Sequence, residues 1–439
     1  MTGVSTTIAA IATGPAAGGI GIIRVSGPEA LSAASRVVRG WPTKPEARHA
    51  YVVRFVDESE RVLDEGLALY FAAPRSFTGD DVVELHTHGS PKLLSMLLSA
   101  ILRGEHVRLA TPGEFTRRAY LADRIDLTRA EAVADLIAAE SEAQVRAAAA
   151  QLSGEFGERL SRVKAPLLAL QADVEGAMDF PEEAEGAEKD AAGRLMEIEK
   201  NARSLLDDAK RGALVRKGAR VVLYGPVNAG KSTLFNALLG ANRALVDEEP
   251  GTTRDTLEGK LELRGLSVTL VDTAGLREGA GRIEAMGIER TKEALATADV
   301  AVELVPPGAV ATRSDALIVH TKQDTLSLQS GERAGVRGDG SLRISAKSGA
   351  GLDELREALF ARLGGTLAGA VVSSSERHVR GLSELVEALE RASSAASVST
   401  LEVVAGEIGL ALAAIAELDG SDSRTELLDA IFQRFCIGK

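Results

Sequence analysis

Gly225-Pro-Val-Asn-Ala-Gly-Lys231-Ser232 is the stretch whose reading decides the fold. It fits G-x-x-x-x-G-K-[ST], follows an apolar run at 221–224 and precedes an amphipathic run at 234–239. Strand, loop and helix in that order are what a phosphate-binding loop needs. Its glycines let backbone N–H groups turn inward around a triphosphate, and the helix N-terminus adds a favourable dipole. Lys231 is placed to reach the β and γ phosphates and the Ser232 hydroxyl to ligate Mg²⁺. Asn228, Ala229, Gly230 and Thr233 line the same loop. The plain alternative is a glycine turn ahead of a helix. The pattern predicts a nucleotide-binding α/β domain.

Downstream motifs narrow the base to guanine. Asp272, Thr273, Ala274 and Gly275 follow an apolar strand at 268–271, the setting of a Mg²⁺-associated Asp and a γ-phosphate-sensing Gly. Between the two motifs lies Pro250-Gly-Thr-Thr-Arg-Asp255, a polar loop suited to a switch that closes on Mg²⁺ and γ-phosphate. Thr321, Lys322 and Asp324 come after a strand at 316–320, and the Asp324 carboxylate can accept from guanine N1–H and N2–H₂. Ser345, Ala346 and Lys347 fit the loop that backs the base. These five elements, in this order, resemble the GTPases of the translation-factor class and imply GTP as the nucleotide. Leu276 then stands where a Ras-like enzyme carries the Gln that orients the attacking water, a task leucine cannot perform. Asn228 offers a carbonyl oxygen beside the phosphates. In potassium-activated GTPases an Asn there ligates K⁺, whose charge replaces that of an arginine finger; otherwise it is an ordinary loop residue.

The 439 residues are enough for about three domains. One Cys, no apolar run long enough to span a bilayer, and no charged start with an apolar core predict a cytoplasmic protein without disulfides or membrane anchor. A net charge of −12 argues against indiscriminate nucleic-acid binding. The acidity concentrates in 121–214, around Pro181-Glu-Glu-Ala-Glu-Gly-Ala-Glu188, read as a solvated connection between helices. Residues 1–120 mix β-rich runs at 21–25 and 82–86 with a helical pattern near 92–103, an α+β domain. Residues 121–214 are helical, 215–370 alternate strands and helices, and 371–439 return to helix. The predicted fold class is multidomain α/β and α+β, with a P-loop (Ras-like) GTPase domain inserted into an all-helical domain. Between strands at 300–305 and 316–319 about ten residues remain, including Pro306-Pro-Gly308, too few for the usual crossover helix. Either the domain is trimmed there or a strand is misplaced.

Segments outside the GTPase motifs carry a more specific resemblance. They are Gly18-Gly-Ile-Gly-Ile-Ile-Arg-Val-Ser-Gly27, Phe77-Thr-Gly-Asp-Asp-Val-Val-Glu-Leu-His86 and Ala110-Thr-Pro-Gly-Glu-Phe-Thr-Arg-Arg118. Asp126-Leu-Thr-Arg-Ala-Glu-Ala-Val-Ala-Asp-Leu136, Asp179-Phe-Pro-Glu-Glu183 and Phe435-Cys-Ile-Gly-Lys439 add to them. On these, over essentially its whole length, the chain resembles the MnmE (TrmE) family of tRNA-modification GTPases. The resemblance implies an N-terminal tetrahydrofolate-binding and dimerisation domain, a helical domain and the inserted GTPase. It also implies a homodimer that works with an FAD-dependent partner, MnmG, in a heterotetramer. Together they modify the wobble uridine of certain tRNAs with a one-carbon unit of 5-formyl- or methylene-tetrahydrofolate. Folate contacts carry over to Arg24, Glu84, Arg124 and Lys439. A carboxylate such as Glu84 suits the adjacent N–H donors of a pterin ring. Asn228, Asp247, Glu249 and Thr252 correspond to the K⁺ contacts, Ser232 and Thr253 to the Mg²⁺ ligands, and Glu284 to the residue that orients the hydrolytic water.

Some positions depart from the family pattern. Thr321 stands where Asn is usual, which predicts that the guanine loop is held less firmly. Arg124 replaces a Lys, keeping charge but changing hydrogen-bond geometry. Cys436 has two readings, a nucleophile toward C6 of the uracil ring or a small packed residue. His86 and His88 share one face of a strand but lack a third metal ligand, which favours a folate-site or structural role. A regulatory, RNA-associated GTPase without modification activity is the alternative, and the folate segments and the terminal Cys-Ile-Gly-Lys argue against it.

Overall fold

In a computed structural model, which describes residues 6–180, 187–240, 257–273, 291–322, 335–336, 341–364, 372–398, 400–421, 425–433 and 435–438, the chain divides into two units. The first comprises Met1–Ala134 with Ala413–Lys439, the second Asp135–Leu412. The division falls inside helices, between residues 134 and 135 and between residues 412 and 413. One reason is that Phe432 and Phe435, from the end of the chain, pack on Leu127 and Ala130.

The first unit is built on a seven-stranded sheet in the order β3-β4-β5-β6-β2-β1-β7. Its strands are β1 (Thr7–Ile11), β2 (Gly18–Ser26), β3 (Val38–Arg39), β4 (Ala50–Val56), β5 (Val62–Phe71), β6 (Val82–Gly89) and β7 (Val107–Leu109). All pairings are antiparallel except β1 with β7. Alternation sends Ile23, Val25, Val83 and Leu85 to the face packed by helices α1 (Ala30–Ser35) and α2 (Pro91–Ile101). It leaves Arg24 and Glu84, which are register partners, on the opposite face. Ser90 caps α2 by accepting from the Leu93 N–H, and Pro91 opens the helix where a missing N–H does no harm. Helices α3 (Glu114–Leu121) and α4 (Leu127–Ala138) follow.

The second unit begins with helices α5 (Glu142–Ser153), α6 (Glu155–Asp179) and α7 (Ala187–Lys217). The Ser141 hydroxyl accepts from the Gln144 N–H while the Gln144 side chain accepts from the Ser141 N–H, a capping box that starts α5. A second seven-stranded sheet runs β13-β14-β12-β11-β8-β10-β9. It uses β8 (Ala219–Tyr224), β9 (Leu257–Leu263), β10 (Leu266–Asp272), β11 (Val300–Val305), β12 (Leu317–His320), β13 (Gly335–Val336) and β14 (Leu342–Arg343). The five inner strands are parallel, and β9 and β13 pair antiparallel at the edges. Helices α8 (Lys231–Gly240) and α9 (Leu352–Arg362) pack Leu234, Phe235, Leu355 and Leu359 onto Val221, Leu223, Val302 and Val319. Helices α10 (Glu376–Val398), α11 (Leu401–Asp419) and α12 (Thr425–Phe432) complete the chain.

The connection flagged in the sequence is short in the structure too. Strands β11 and β12 pair in parallel, with Val302 opposite Leu317, and residues 306–316 join them without a helix. Both strands therefore stand where the sequence put them, and the domain is trimmed. Both cut ends of the inserted domain meet one carboxylate. Asp135 accepts from Arg216 Nε at 2.7 Å and from the Ser373 hydroxyl at 2.7 Å. Among the described residues no helix is long and apolar enough to cross a membrane.

Candidate functional site

The phosphate loop sits between β8 and α8. Three of its backbones take conformations that side chains resist. Gly225 has φ +147°, and a Cβ there would lie 2.5 Å from the Leu304 carbonyl oxygen; Gly230 has φ +94°. Asn228 has φ 60°, the left-handed region that Asn tolerates better than other residues with a Cβ. Lys231 is buried, and its ammonium donates to the carbonyls of Gly225 at 3.0 Å and Pro226 at 2.8 Å, curled over the loop it would leave to reach a phosphate. Ser232 donates its hydroxyl to Asp272 Oδ2 at 2.6 Å. Asp272 is fully buried at the end of β10, so hydroxyl and carboxylate meet as a hard-oxygen pair of the kind Mg²⁺ selects. The neighbouring Thr273 hydroxyl donates to the Leu223 carbonyl at 2.9 Å, fastening the end of β10 to β8.

The loop after β12 is tied to the same place. Thr321 is buried after β12, and its hydroxyl donates to the Ala229 carbonyl at 2.7 Å. Thr321, expected from the sequence to hold its loop less firmly than Asn, bonds directly to the phosphate loop. Lys322 follows with φ 58° and an exposed side chain. Ser345 is buried in a tight turn, its N–H donating to the Ala350 carbonyl and its carbonyl accepting from Gly349. Ala346 packs on the domain core and Lys347 is exposed. Thr233 is exposed on the first turn of α8. Asp247, Glu249, Thr252, Thr253, Ala274, Gly275, Leu276, Glu284, Asp324 and Lys439 lie outside the described residues.

The first unit holds a second polar cluster. Arg24 donates Nε to Glu84 Oε1 at 2.9 Å, with Nη2 2.8 Å from the same oxygen, and it lies 5.7 Å from the centre of the Phe115 ring. Its Nη1 donates to the Gly438 carbonyl at 3.4 Å, so the C-terminal tail reaches this pair. His86 Nε2 lies 3.3 Å from Glu84 Oε2. The His86 imidazole first, and the Arg24 guanidinium with it, hold the Glu84 carboxyl below its ordinary range against the opposing push of burial. Glu84 is thus an anion whose oxygens face an arginine and a histidine, and that arginine meets the tail. Arg124 is exposed in the turn after α3, and no described hydrogen bond or ion pair joins its side chain to this cluster. Cys436 is exposed, and its backbone carbonyl accepts from the Gly113 N–H. His88 turns to Asp64 at 2.8 Å, and among the described residues no group of three His, Cys, Asp or Glu could hold a metal.

Two groups of residues escaped the sequence reading. Arg118 donates to Asp80 and Glu114, and Arg108 binds Glu114 through both guanidinium nitrogens, at 2.7 and 2.6 Å. The paired arginines of Phe115-Thr-Arg-Arg118 were visible, but their partners are set by tertiary packing. The other is Glu303, buried in β11, whose signal was a single carboxylate inside Val300-Ala-Val-Glu-Leu-Val305.

A strand, phosphate loop and helix, with a buried Asp ending the adjacent parallel strand and a threonine after β12 bonded to the loop, define a P-loop nucleotide-binding protein. Residues 127–436 match the family described as the MnmE helical domain, and 7–124 match the GTP-binding protein TrmE N-terminus. A relative in Myxococcus xanthus (strain DK1622), named tRNA modification GTPase MnmE, is 55% identical over 450 residues, covering 100% of both chains. Relatives of the same name in Laribacter hongkongensis (strain HLHK9) and Azoarcus sp. (strain BH72) are 42% and 44% identical, covering 100% and 98% of each chain. The chain belongs to the MnmE family of tRNA modification GTPases, with a P-loop GTPase domain inserted in its helical part.

Proposed function

We propose that this chain is a potassium-activated GTPase. With the FAD-dependent protein MnmG it forms the 5-carboxymethylaminomethyl or 5-aminomethyl group on the wobble uridine of certain tRNAs, using a tetrahydrofolate one-carbon unit. The observation that carries the reading is the meeting of Lys231, Ser232 and Asp272 at one loop, an arrangement whose donors and acceptors suit a Mg²⁺-bound triphosphate. Ser232 and Thr253 would hold Mg²⁺, and Asn228, Asp247, Glu249 and Thr252 would hold K⁺. Both ions add positive charge where the phosphates gain negative charge. Lys231 exchanges its two carbonyl partners for phosphate oxygens, and Glu284 orients the water that Leu276 cannot.

Residues 1–120 form the folate-binding and dimerisation domain, where Arg24, Glu84, Arg124 and Lys439 receive 5-formyl- or methylene-tetrahydrofolate. The ionised Glu84 suits the pterin N–H groups, and the exposed Cys436 is the thiol available to uracil C6. Residues 121–214 and 371–439 form the helical domain around the GTPase domain at 215–370. The working species is a homodimer joined to MnmG in a cytoplasmic heterotetramer. The test is reconstitution: protein, MnmG, unmodified tRNA, GTP, tetrahydrofolate donor and glycine or ammonium, followed by mass spectrometry of the wobble nucleoside. A modified uridine that needs both proteins supports the reading. GTP turnover with an unchanged tRNA would favour a regulatory RNA-associated GTPase.

A further inference from the structure

The trimmed connection between β11 and β12 raises a mechanical question. A parallel crossover ordinarily carries a helix that packs back onto the sheet. In this chain residues 306–316 turn back at Pro306-Pro-Gly308-Ala309, where the Ala309 N–H donates to the Pro306 carbonyl and Gly308 has φ +84°. A cavity of about 450 Å³ remains, bordered by Pro226, Thr273, Val305 and Val310. Among the described residues no helix of the connection covers that flank, which leaves a place for polar contacts to set the loop's entrance.

Glu303 is the group placed to do so. It is 3% exposed and stands directly opposite Tyr224 in the β8–β11 register. Its Oε1 accepts from the Thr312 N–H at 2.7 Å and the Thr312 hydroxyl at 2.7 Å. Its Oε2 accepts from the Arg313 N–H at 3.0 Å and the Tyr224 hydroxyl at 3.1 Å. Three of the four donors come from the short connection, and the fourth belongs to the residue immediately before Gly225. Burial pushes this carboxyl up, but the Thr312 and Arg313 donors outweigh it and hold it below its ordinary value. The connection thus fixes Glu303, and Glu303 fixes Tyr224. The carbonyls that follow Tyr224, those of Gly225 and Pro226, are the two on which Lys231 rests.

We propose that Glu303 is a positioning residue for the phosphate loop, replacing through Tyr224 the support that the missing crossover helix would supply. The proposal rests on the reading of this domain as a GTP-binding one, and deepens it. A carboxylate that only closed the connection would act on stability alone. One that also sets Tyr224 and Gly225 acts on the residue that meets the β and γ phosphates, and so changes GTP affinity more than GDP affinity.

The test uses the full chain with Tyr224→Phe and Glu303→Gln. Tyr224→Phe removes one hydroxyl and leaves the connection's three bonds in place, so it reports even where Glu303→Gln folds poorly. GTP and GDP dissociation constants are measured by displacement of a fluorescent guanine nucleotide, together with the unfolding midpoint of the nucleotide-free protein. For Tyr224→Phe the expected result is a GTP affinity about five- to tenfold weaker, part of the worth of one hydrogen bond to a charged group, with a smaller loss for GDP; the midpoint falls as well, since the bond is present without nucleotide. Adding Tyr224→Phe to Glu303→Gln should weaken binding no further, because both act through one bond. Unchanged GTP-to-GDP selectivity in variants of a GTP-binding parent would overturn the proposal and leave the GTP reading intact. A parent that binds no GTP would overturn the reading itself.

Discussion

Thr321→Val is the substitution that asks whether one hydroxyl can stand in for the usual asparagine of the guanine loop. Valine nearly matches threonine in shape, so the change removes the donor without opening a cavity. What is lost is a 2.7 Å bond to the carbonyl of Ala229, in a place where both residues are buried. A hydrogen bond closed off from water is worth about 1–2 kcal/mol when one partner is removed. The bond links the base loop to the phosphate loop, and it matters most when a nucleotide spans both. If the whole loss falls on the bound state, guanine nucleotide dissociation constants rise by about 5- to 30-fold. Thr321→Asn, which restores a donor, should recover most of the loss. Titration with a fluorescent GDP analogue reads the constants, and a thermal melt of the nucleotide-free protein controls for folding. Affinities within twofold of the parent for Thr321→Val would refute the reasoning and reduce Thr321 to a packing residue.

The remaining predictions concern the other polar groups. Glu84→Gln removes the negative charge that faces Arg24, and calorimetry should show 5-formyl-tetrahydrofolate bound at least about tenfold more weakly; unchanged affinity would place the folate elsewhere. Glu114 is pushed up by burial but held down at about 2, against an ordinary 4.5, by Arg108, the Thr111 N–H and Arg118. Because its folded value is the lower one, its contribution of about 3 kcal/mol is present above pH 4.5 and is lost as pH falls from 4.5 toward 2. Urea unfolding followed by Trp41, the chain's one tryptophan, should show Glu114→Gln less stable at pH 7 and the gap from the parent closing in acid. A gap independent of pH contradicts that account. Glu284→Ala should leave GTP binding nearly intact and remove most hydrolysis, and single-turnover rates equal to the parent's would end its assignment.

What could be read from the chain follows from how far apart the cooperating residues lie. Lys231 and Ser232 sit inside one contiguous motif whose loop geometry is local, and Asp272 follows a strand pattern that needs no partner to be recognised. The pair Arg24 and Glu84 was legible only through family resemblance, because nothing local brings residues 60 positions apart into register; the β2–β6 pairing does that. Thr321 looked like a weakness in sequence, since its acceptor is a backbone carbonyl 92 residues away and carbonyls leave no trace in a residue pattern. Glu303 went unread for a related reason. A lone carboxylate in an apolar strand signals burial, but its donors come from a connection whose path only the fold reveals.

The most direct measurement on the central claim is GTP turnover by the purified protein in KCl against NaCl at equal ionic strength, with Asn228→Gly beside the parent. Glycine accepts the φ of 60° that Asn228 adopts, so this variant removes the side-chain oxygen without straining the loop. The account predicts a large rate increase with K⁺ in the parent, little increase in Asn228→Gly, and similar slow rates for both in Na⁺. Equal, slow turnover by the parent in the two salts would contradict it.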